Sequence, residues 1–219
     1  MDPQILNFSR QLFEKLRKDA LSKTCSKGVL VFREGEKYAG PWVLHKGAVV
    51  LVKSSRSGKE QIVRQIEPGE VFAEVPLFRN IDWYPVNARC ATRCELHLLP
   101  VVKARECLKS DPKLAWAAAC SLAGRIAEFR DAFLDITLAD ARQRLLRYLL
   151  RRLDGKPNAS LGVVRLGISH QDLALLLGIR AESLSRALTD LERAGKLRRL
   201  SRQTFQLFLN KIPKEEMEW

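Results

Sequence analysis

The sequence predicts an α+β protein: an N-terminal antiparallel β-roll, a long helix, and a C-terminal winged helix-turn-helix. Three observations lead there. Short apolar runs punctuated by glycines fill residues 27–99, an apolar stripe at a/d spacing runs from 122 to 136, and two short amphipathic segments joined at a glycine occupy 169–195. The expected divisions are 1–111 for the roll, 112–138 for the long helix and hinge, and 139–219 for the winged unit.

With 219 residues, 46% of them hydrophobic and 29% charged, the chain can bury a proper core. No window approaches eighteen consecutive apolar residues, so no membrane span is expected. The start, Met1, Asp2, Pro3, Gln4, lacks the basic and apolar regions of a signal peptide, and a cytoplasmic protein is expected. Five cysteines (Cys25, Cys90, Cys94, Cys107 and Cys120) are an odd number, which fits free thiols in a reducing compartment. Read on one strand, Cys90 and Cys94 would stand about 13 Å apart, which favours packing over pairing. No Cys/His group has zinc spacing.

Taken in order, residues 4–21 set Ile5, Leu6, Phe8, Leu12, Phe13 and Leu16 among charges, the pattern of an amphipathic helix. Apolar runs at 29–32, 42–44, 48–52 and 61–66 are then separated by glycines 28, 35, 47, 58 and 69, the texture of a small antiparallel barrel or roll. Pro100 and Pro112 bracket a short helix over Val101–Ser110, and Pro112 opens the long one. Along it Leu122, Ile126, Phe129, Phe133 and Ile136 fall at spacings of 4, 3, 4 and 3. Leu122, Ile126, Phe129 and Phe133 are therefore expected to form a dimer seam, the alternative being that they cover the chain's own barrel. Asp135 is expected to cap the next helix. That helix carries Ala141, Leu145, Leu146, Leu149 and Leu153, and should end at residues 154–157. Residues 158–160 match a glycosylation acceptor, which has no meaning in a cytoplasmic protein.

Charge narrows the partner. The formal net charge is +13, and residues 139–212 hold 15 Lys and Arg against 6 Asp and Glu. A whole subdomain this basic points to a polyanion, with nucleic acid favoured over a merely solvated face.

The segment SHQDLALLLGIRAESLSRALTDLERAG at 169–195 carries the function. Ser169 with Asp172 three residues on resembles a capping box, and Leu173, Ala174 and Leu177 give one apolar face. Gly178 suits the left-handed turn that ends a helix. The second helix turns Leu184, Ala187, Leu188 and Leu191 inward. Two such helices on a tight turn make a helix-turn-helix, whose second helix reads DNA. Its outward positions hold Glu182, Ser185 and Arg186: arginine can fork onto guanine O6 and N7, and glutamate can accept from cytosine N4. Alone, a Glu182–Arg186 surface pair would be the simpler reading. Phosphate contacts are expected from Ser169, Gln171, Arg180 and Ser183. A two-stranded wing over 196–209 would lay Lys196, Arg198, Arg199 and Arg202 along a backbone.

The order roll, long helix, hinge and winged helix resembles the family of the cyclic-AMP receptor protein and the fumarate-and-nitrate-reduction regulator (CRP/FNR) across nearly the whole chain. Residues 68–78 (PGEVFAEVPLF) are similar to the family's effector-pocket segment, 133–137 (FLDIT) to its hinge, and 182–186 (ESLSR) to its recognition helix in the fumarate-nitrate form. The resemblance implies a double-stranded β-helix of the cyclic-nucleotide-binding type. It also implies a homodimer on a palindrome of TTGAT-like half-sites in double-stranded DNA, with Arg186 on the guanine, Glu182 on the cytosine opposite the following pair, and RNA polymerase as a further partner. Whether transcription is raised or lowered depends on promoter position.

By the same resemblance the effector pocket comprises Phe72, Ala73, Glu74, Val75, Tyr84, Pro85, Gly124 and Arg125. The chain departs from the family here. Ala73 replaces the glycine before the ribose-holding Glu74, and Tyr84 and Pro85 replace the Arg-Ser pair for the cyclic phosphate. Gly124 and Arg125 replace two hydroxyl residues on the long helix. Without its arginine a cyclic phosphate loses a charge-assisted pair, so cyclic AMP is not expected. Nor is an iron–sulfur cluster, because only Cys25 lies in the first 89 residues. The Tyr84-Pro85 substitution looks like the branch that senses nitrogen oxides, some members of which bind haem. Haem stays open, with His45, His97, Cys90, Cys94 or the N-terminus as candidate ligands and none assigned. Arg125 could instead meet an anionic small molecule. The expected function is thus a DNA-binding regulator under a small-molecule or gas effector. The alternatives are an effector-independent regulator whose roll is a dimer scaffold, and a cupin-like enzyme. The last is disfavoured because His45, His97 and His170 are read as unpaired.

Overall fold

The structure, a computed structural model, describes residues 2–153, 160–213 and 216. The helix expected to run through Leu153 and stop at 154–157 already ends at Leu150, while most of the glycosylation match lies outside the described residues. The chain divides into two compact units, residues 1–129 and 130–219.

The first unit opens with α1 (Pro3–Leu16), capped by the Asp2 side chain accepting from the Gln4 amide, with Ile5, Phe8, Leu12 and Leu16 buried on one face. The helix stops at Leu16 and not at 21, because Leu21–Cys25 leaves it as β1 to pair with β8 (Cys94–Leu98). Between these lie β2 (Leu30–Phe32), β3 (Trp42–Lys46), β4 (Val49–Ser54), β5 (Glu60–Ile66), β6 (Val71–Phe72), the short α2 (Val75–Arg79) and β7 (Asn87–Cys90). Two four-stranded antiparallel sheets result, in the orders β1-β8-β3-β6 and β2-β7-β4-β5. Their inward side chains meet in one core: Phe32, Leu44, Val49, Ile66, Phe72, Leu96 and Leu99, closed by Phe8 and Leu12 of α1. Cys90 and Cys94 are not on one strand. They end β7 and begin β8, Cys94 faces Cys25 across β1, and all three are buried in the core. The packing role stands, but the 13 Å geometry does not.

After α3 (Val101–Ser110) comes α4 (Pro112–Leu138), whose Leu114, Ala117 and Ala118 join the same core. The seam residues do not. Ile126, Phe129 and Phe133 are 70%, 69% and 58% exposed, and Leu122 is half-buried.

The second unit takes in the end of α4. Asp135 lies inside this helix and caps nothing. The cap of α5 (Ala141–Leu150) is Asp140, in a reciprocal box with Gln143. The reason is that Asp135 is buried, its carboxylate 3.1 Å from Arg147 Nη1 and 2.9 Å from Arg151 Nη1 of α5. Then follow β9 (Leu161–Arg165), α6 (His170–Leu177), α7 (Ala181–Arg193), β10 (Leu197–Arg199) and β11 (Thr204–Phe208). The wing is a three-stranded sheet, β10-β11-β9, and not a two-stranded one: Phe205 of β11 pairs with Val164 of β9, and both are fully buried.

Candidate nucleic-acid interface and the roll's charged network

Ser169 caps α6, its hydroxyl accepting from the Asp172 amide at 3.0 Å and donating to Asp172 Oδ2 at 2.9 Å. Gly178 ends the helix at φ +64, a conformation that costs an alanine roughly 1–2 kcal/mol. Three residues later, at Ala181, α7 begins. Leu184, Ala187, Leu188 and Leu191 are buried, which at 3.6 residues per turn turns Glu182, Ser185 and Arg186 to the opposite face, where all three are exposed. No ion pair joins Glu182 to Arg186 among the described residues, so the competing surface-pair reading is not realised.

The expected phosphate contacts divide into two groups. Gln171, Arg180, Arg198 and Arg202 are exposed and Ser183 is half-buried. Three others are engaged within the protein. The Ser169 hydroxyl is spent on its cap, Lys196 Nζ lies 2.7 and 2.8 Å from the two Glu216 oxygens, and Arg199 pairs with Glu192 at 2.9 Å. Ser169 and Lys196 are corrected to structural roles. Beside α7 lies a cavity of about 300 Å³ lined by His170, Gln171, Ala181, Leu184, Ser185, Leu188 and Arg199. Nε2 of His170 is buried there without a hydrogen-bond partner among the described residues, and its ring stacks near Phe205. The sequence reading placed His170 only among the unpaired histidines, with no role beside α7. Its position, first in the helix after the Ser169 cap, was the available signal.

In the roll, the expected pocket residues do not all converge. Arg125 and Glu74 do: Arg125 Nε is 2.6 Å from Glu74 Oε1, an ion pair without hydrogen-bond alignment. Arg125 Nη2 also donates to the Val71 carbonyl at 2.7 Å, and Nη1 is 3.8 Å from Glu70, which in turn pairs with Arg64. Burial pushes the Glu74 carboxyl upward against the pull of Arg64, and burial pulls Arg64 down against Glu74 and Glu128. Phe72 is in the core, while Ala73 sits at φ +58 with its carbonyl accepting from Tyr38 Oη at 2.8 Å. Ala73 keeps a glycine's conformation without the glycine. Val75 is exposed.

Tyr84 and Gly124 are corrections. Tyr84 is 2% exposed, stacked on Phe32, donating to the Gly40 carbonyl and accepting from Trp42 Nε1. It is a core residue, and burial raises its phenol. Pro85 offers its carbonyl to Lys53. Gly124 faces α1: a Cβ there would come within 2.3 Å of Asp2 Oδ2, so bareness serves helix packing. The histidines also need correcting, since His45 and His97 are neighbours with ring centroids 5.8 Å apart, His97 lying against Phe13 and Ser22. Among the described residues no group of three or more His, Cys, Asp or Glu is arranged to hold a metal. Cys90 and Cys94, the other candidate haem ligands, are buried in the core, with Cys94 Sγ donating to the Ala48 carbonyl.

Comparison with known proteins fits this layout. Residues 22–111 match the model of the cyclic nucleotide-binding domain, and residues 143–210 match that of the Crp-like helix-turn-helix domain. The chain belongs to the CRP/FNR family of transcription regulators. This family consists of DNA-binding regulators that act as dimers, not enzymes. Among its members, the cAMP-activated global transcriptional regulator CRP of Escherichia coli O6:H1 is 24% identical over 174 residues, covering 78% of this chain and 82% of that protein. The CRP-like protein Clp of Xanthomonas oryzae pv. oryzae is 27% identical over 179 residues, 76% and 75% of the two chains. In fold, FixK2 from Bradyrhizobium japonicum superimposes with a TM-score of 0.74 at 23% identity, over 86% of this chain and 92% of that one. No described helix is long and apolar enough to cross a membrane.

Proposed function

We propose that this CRP/FNR-family regulator binds, as a homodimer, a palindrome of TTGAT-like half-sites in the cytoplasm, under an effector other than cyclic AMP. The observation that supports it best is the outer face of α7, where Arg186, Glu182 and Ser185 stand exposed opposite a fully apolar inner face. A major groove admits a helix, and an exposed guanidinium near its N-terminal end suits guanine O6 and N7. The dimer is supported by the exposed α4 stripe, a narrow apolar seam that water would otherwise cover. RNA polymerase is the further partner expected from the family.

Against cyclic AMP stand the residues themselves. At the position that would hold the phosphate, Tyr84 is closed into the core, and the ribose-binding candidate Glu74 is already paired with Arg125. That same network favours a second reading, regulation without any effector, because the protein's own side chains fill the region. Measuring DNA affinity with and without cyclic AMP, and with and without a small-molecule extract of cells, separates these readings.

Arg186→Ala tests the core. It is expected to weaken binding to the palindrome by roughly 1–3 kcal/mol per half-site and to relax the guanine preference in anisotropy titrations with base-substituted duplexes. Unchanged selectivity would remove α7 as the reader.

A further inference from the structure

We infer that Arg144, supported by Asp135, is the positioning residue that locks the reading head to the end of α4 and thereby sets the half-site spacing the dimer accepts; this rests on the proposed function. Arg144 projects from α5 and spreads its guanidinium over three carbonyls. Nε donates to Ala139 at 2.9 Å, Nη2 to Ile136 at 2.8 Å, and Nη1 to Leu177 at 3.3 Å. Ile136 lies in the last turn of α4 and Ala139 is the first residue after it, and Leu177 is the last residue of α6. Carbonyls at helix ends have no partner within their own helix, and both ends carry the negative pole of a helix dipole. One planar cation therefore caps two helices at once, which a single lysine ammonium cannot reproduce.

A second tie runs in parallel. The Asp135 carboxylate, on the last turns of α4, holds Arg147 and Arg151 of α5 at 3.1 and 2.9 Å, with Asp135 and Arg147 side chains 10% and 12% exposed. The turn between α6 and α7 closes on the same point: a methyl at Gly178 would touch Arg144 Nη1 and Ile136 Cγ1 at 3.9 and 4.0 Å. Consistent with this, the compact C-terminal unit begins at Arg130, eight residues before α4 ends. The last turns of α4 thus move with the reader and not as a free hinge. Phe133, an expected seam residue, lies on these same last turns within the C-terminal unit, so the stretch of α4 to which the reader is tied is also one that would pair in the dimer.

The test uses the full-length protein and two duplexes. One holds the palindrome at its preferred spacing; the other has one base pair added at the dyad, which turns one half-site by about 35°. Wild type is expected to prefer the first by about tenfold or more in anisotropy titrations. Arg144→Lys, which keeps the charge but loses the fork, and Asp135→Asn are expected to reduce that preference to about threefold or less, while the guanine preference within each half-site is kept. A uniform loss of affinity with the spacing preference intact would overturn the inference and leave these residues as ordinary stabilisers. Absence of guanine preference in wild type would instead overturn the proposed function. Should Arg144→Lys fail to fold by thermal melting, Asp135→Asn decides alone.

Discussion

Replacing Phe129 by alanine should break the dimer while leaving each protomer folded. The ring is 69% exposed in the single chain and sits in the middle of the α4 stripe, with Ile126 and Phe133 exposed beside it. A buried phenylalanine hides some 150–250 Å². Covering the exposed part in a seam and then truncating it removes roughly 100 Å² of apolar contact, or about 2.5 kcal/mol at 25 cal/mol per Å². Twofold symmetry counts the loss twice, giving about 5 kcal/mol, between three and four decades in the dimer dissociation constant. Because the side chain makes little contact within its own protomer, the urea midpoint of the dissociated chain should hardly move. Sedimentation equilibrium across nanomolar to tens-of-micromolar protein measures the shift. A variant as dimeric as wild type would refute the placement of the seam on this stripe and return α4 to the role of a cover for some other surface.

Two further substitutions probe the roll. Arg125→Leu leaves Glu74 buried beside a lost cation and should destabilise by about 3–5 kcal/mol at neutral pH, measured by urea unfolding. Burial already raises the folded-state pKa of Glu74, so its protonated form favours folding; that contribution is present at low pH and lost as pH rises through the folded value. The deficit of the variant should therefore narrow as pH is lowered from about 8 to about 5, and a deficit that widens would contradict the network as drawn. Ala73→Gly should stabilise by about 0.5–1 kcal/mol, since relief of an alanine at φ +58 exceeds the added flexibility of the unfolded chain. A drop in the unfolding midpoint would mean that the methyl's packing matters more than the strain.

The features legible in the sequence were those with a local cause. The glycine-spaced runs became the two sheets, the a/d stripe is exposed on α4, and the Ser169 cap, the Gly178 turn and the exposed face of α7 lie where period and propensity put them. The misses share a different cause, contacts between residues far apart in the chain. Asp135 looked like a cap because aspartate favours that position, but two arginines twelve and sixteen residues on hold it inside the helix. Tyr84 looked like a pocket residue because only its alignment was visible, not the Trp42 and Gly40 partners that draw it inward. Lys196 and Ser169 looked available because a sequence does not show that Glu216 and Asp172 already bind them. Strand β9 was missed because its five residues, interrupted by Gly162, become a strand only when β11 lies beside them. Arg144 was one basic residue among many on α5 until three carbonyls converged on it.

The Arg186 side chain, which makes no bond to another side chain among the described residues, also bears on how a target is found. A protein whose sensing group must first be prised from an intramolecular latch hesitates at every position along a chromosome, once for each unlatching. Here the probe is already exposed, so the molecule can drift over non-cognate duplex, held by its diffuse positive charge, and sample each step as quickly as it diffuses. Search speed would then be governed by ionic strength, and dwell time by the fit of a single side chain.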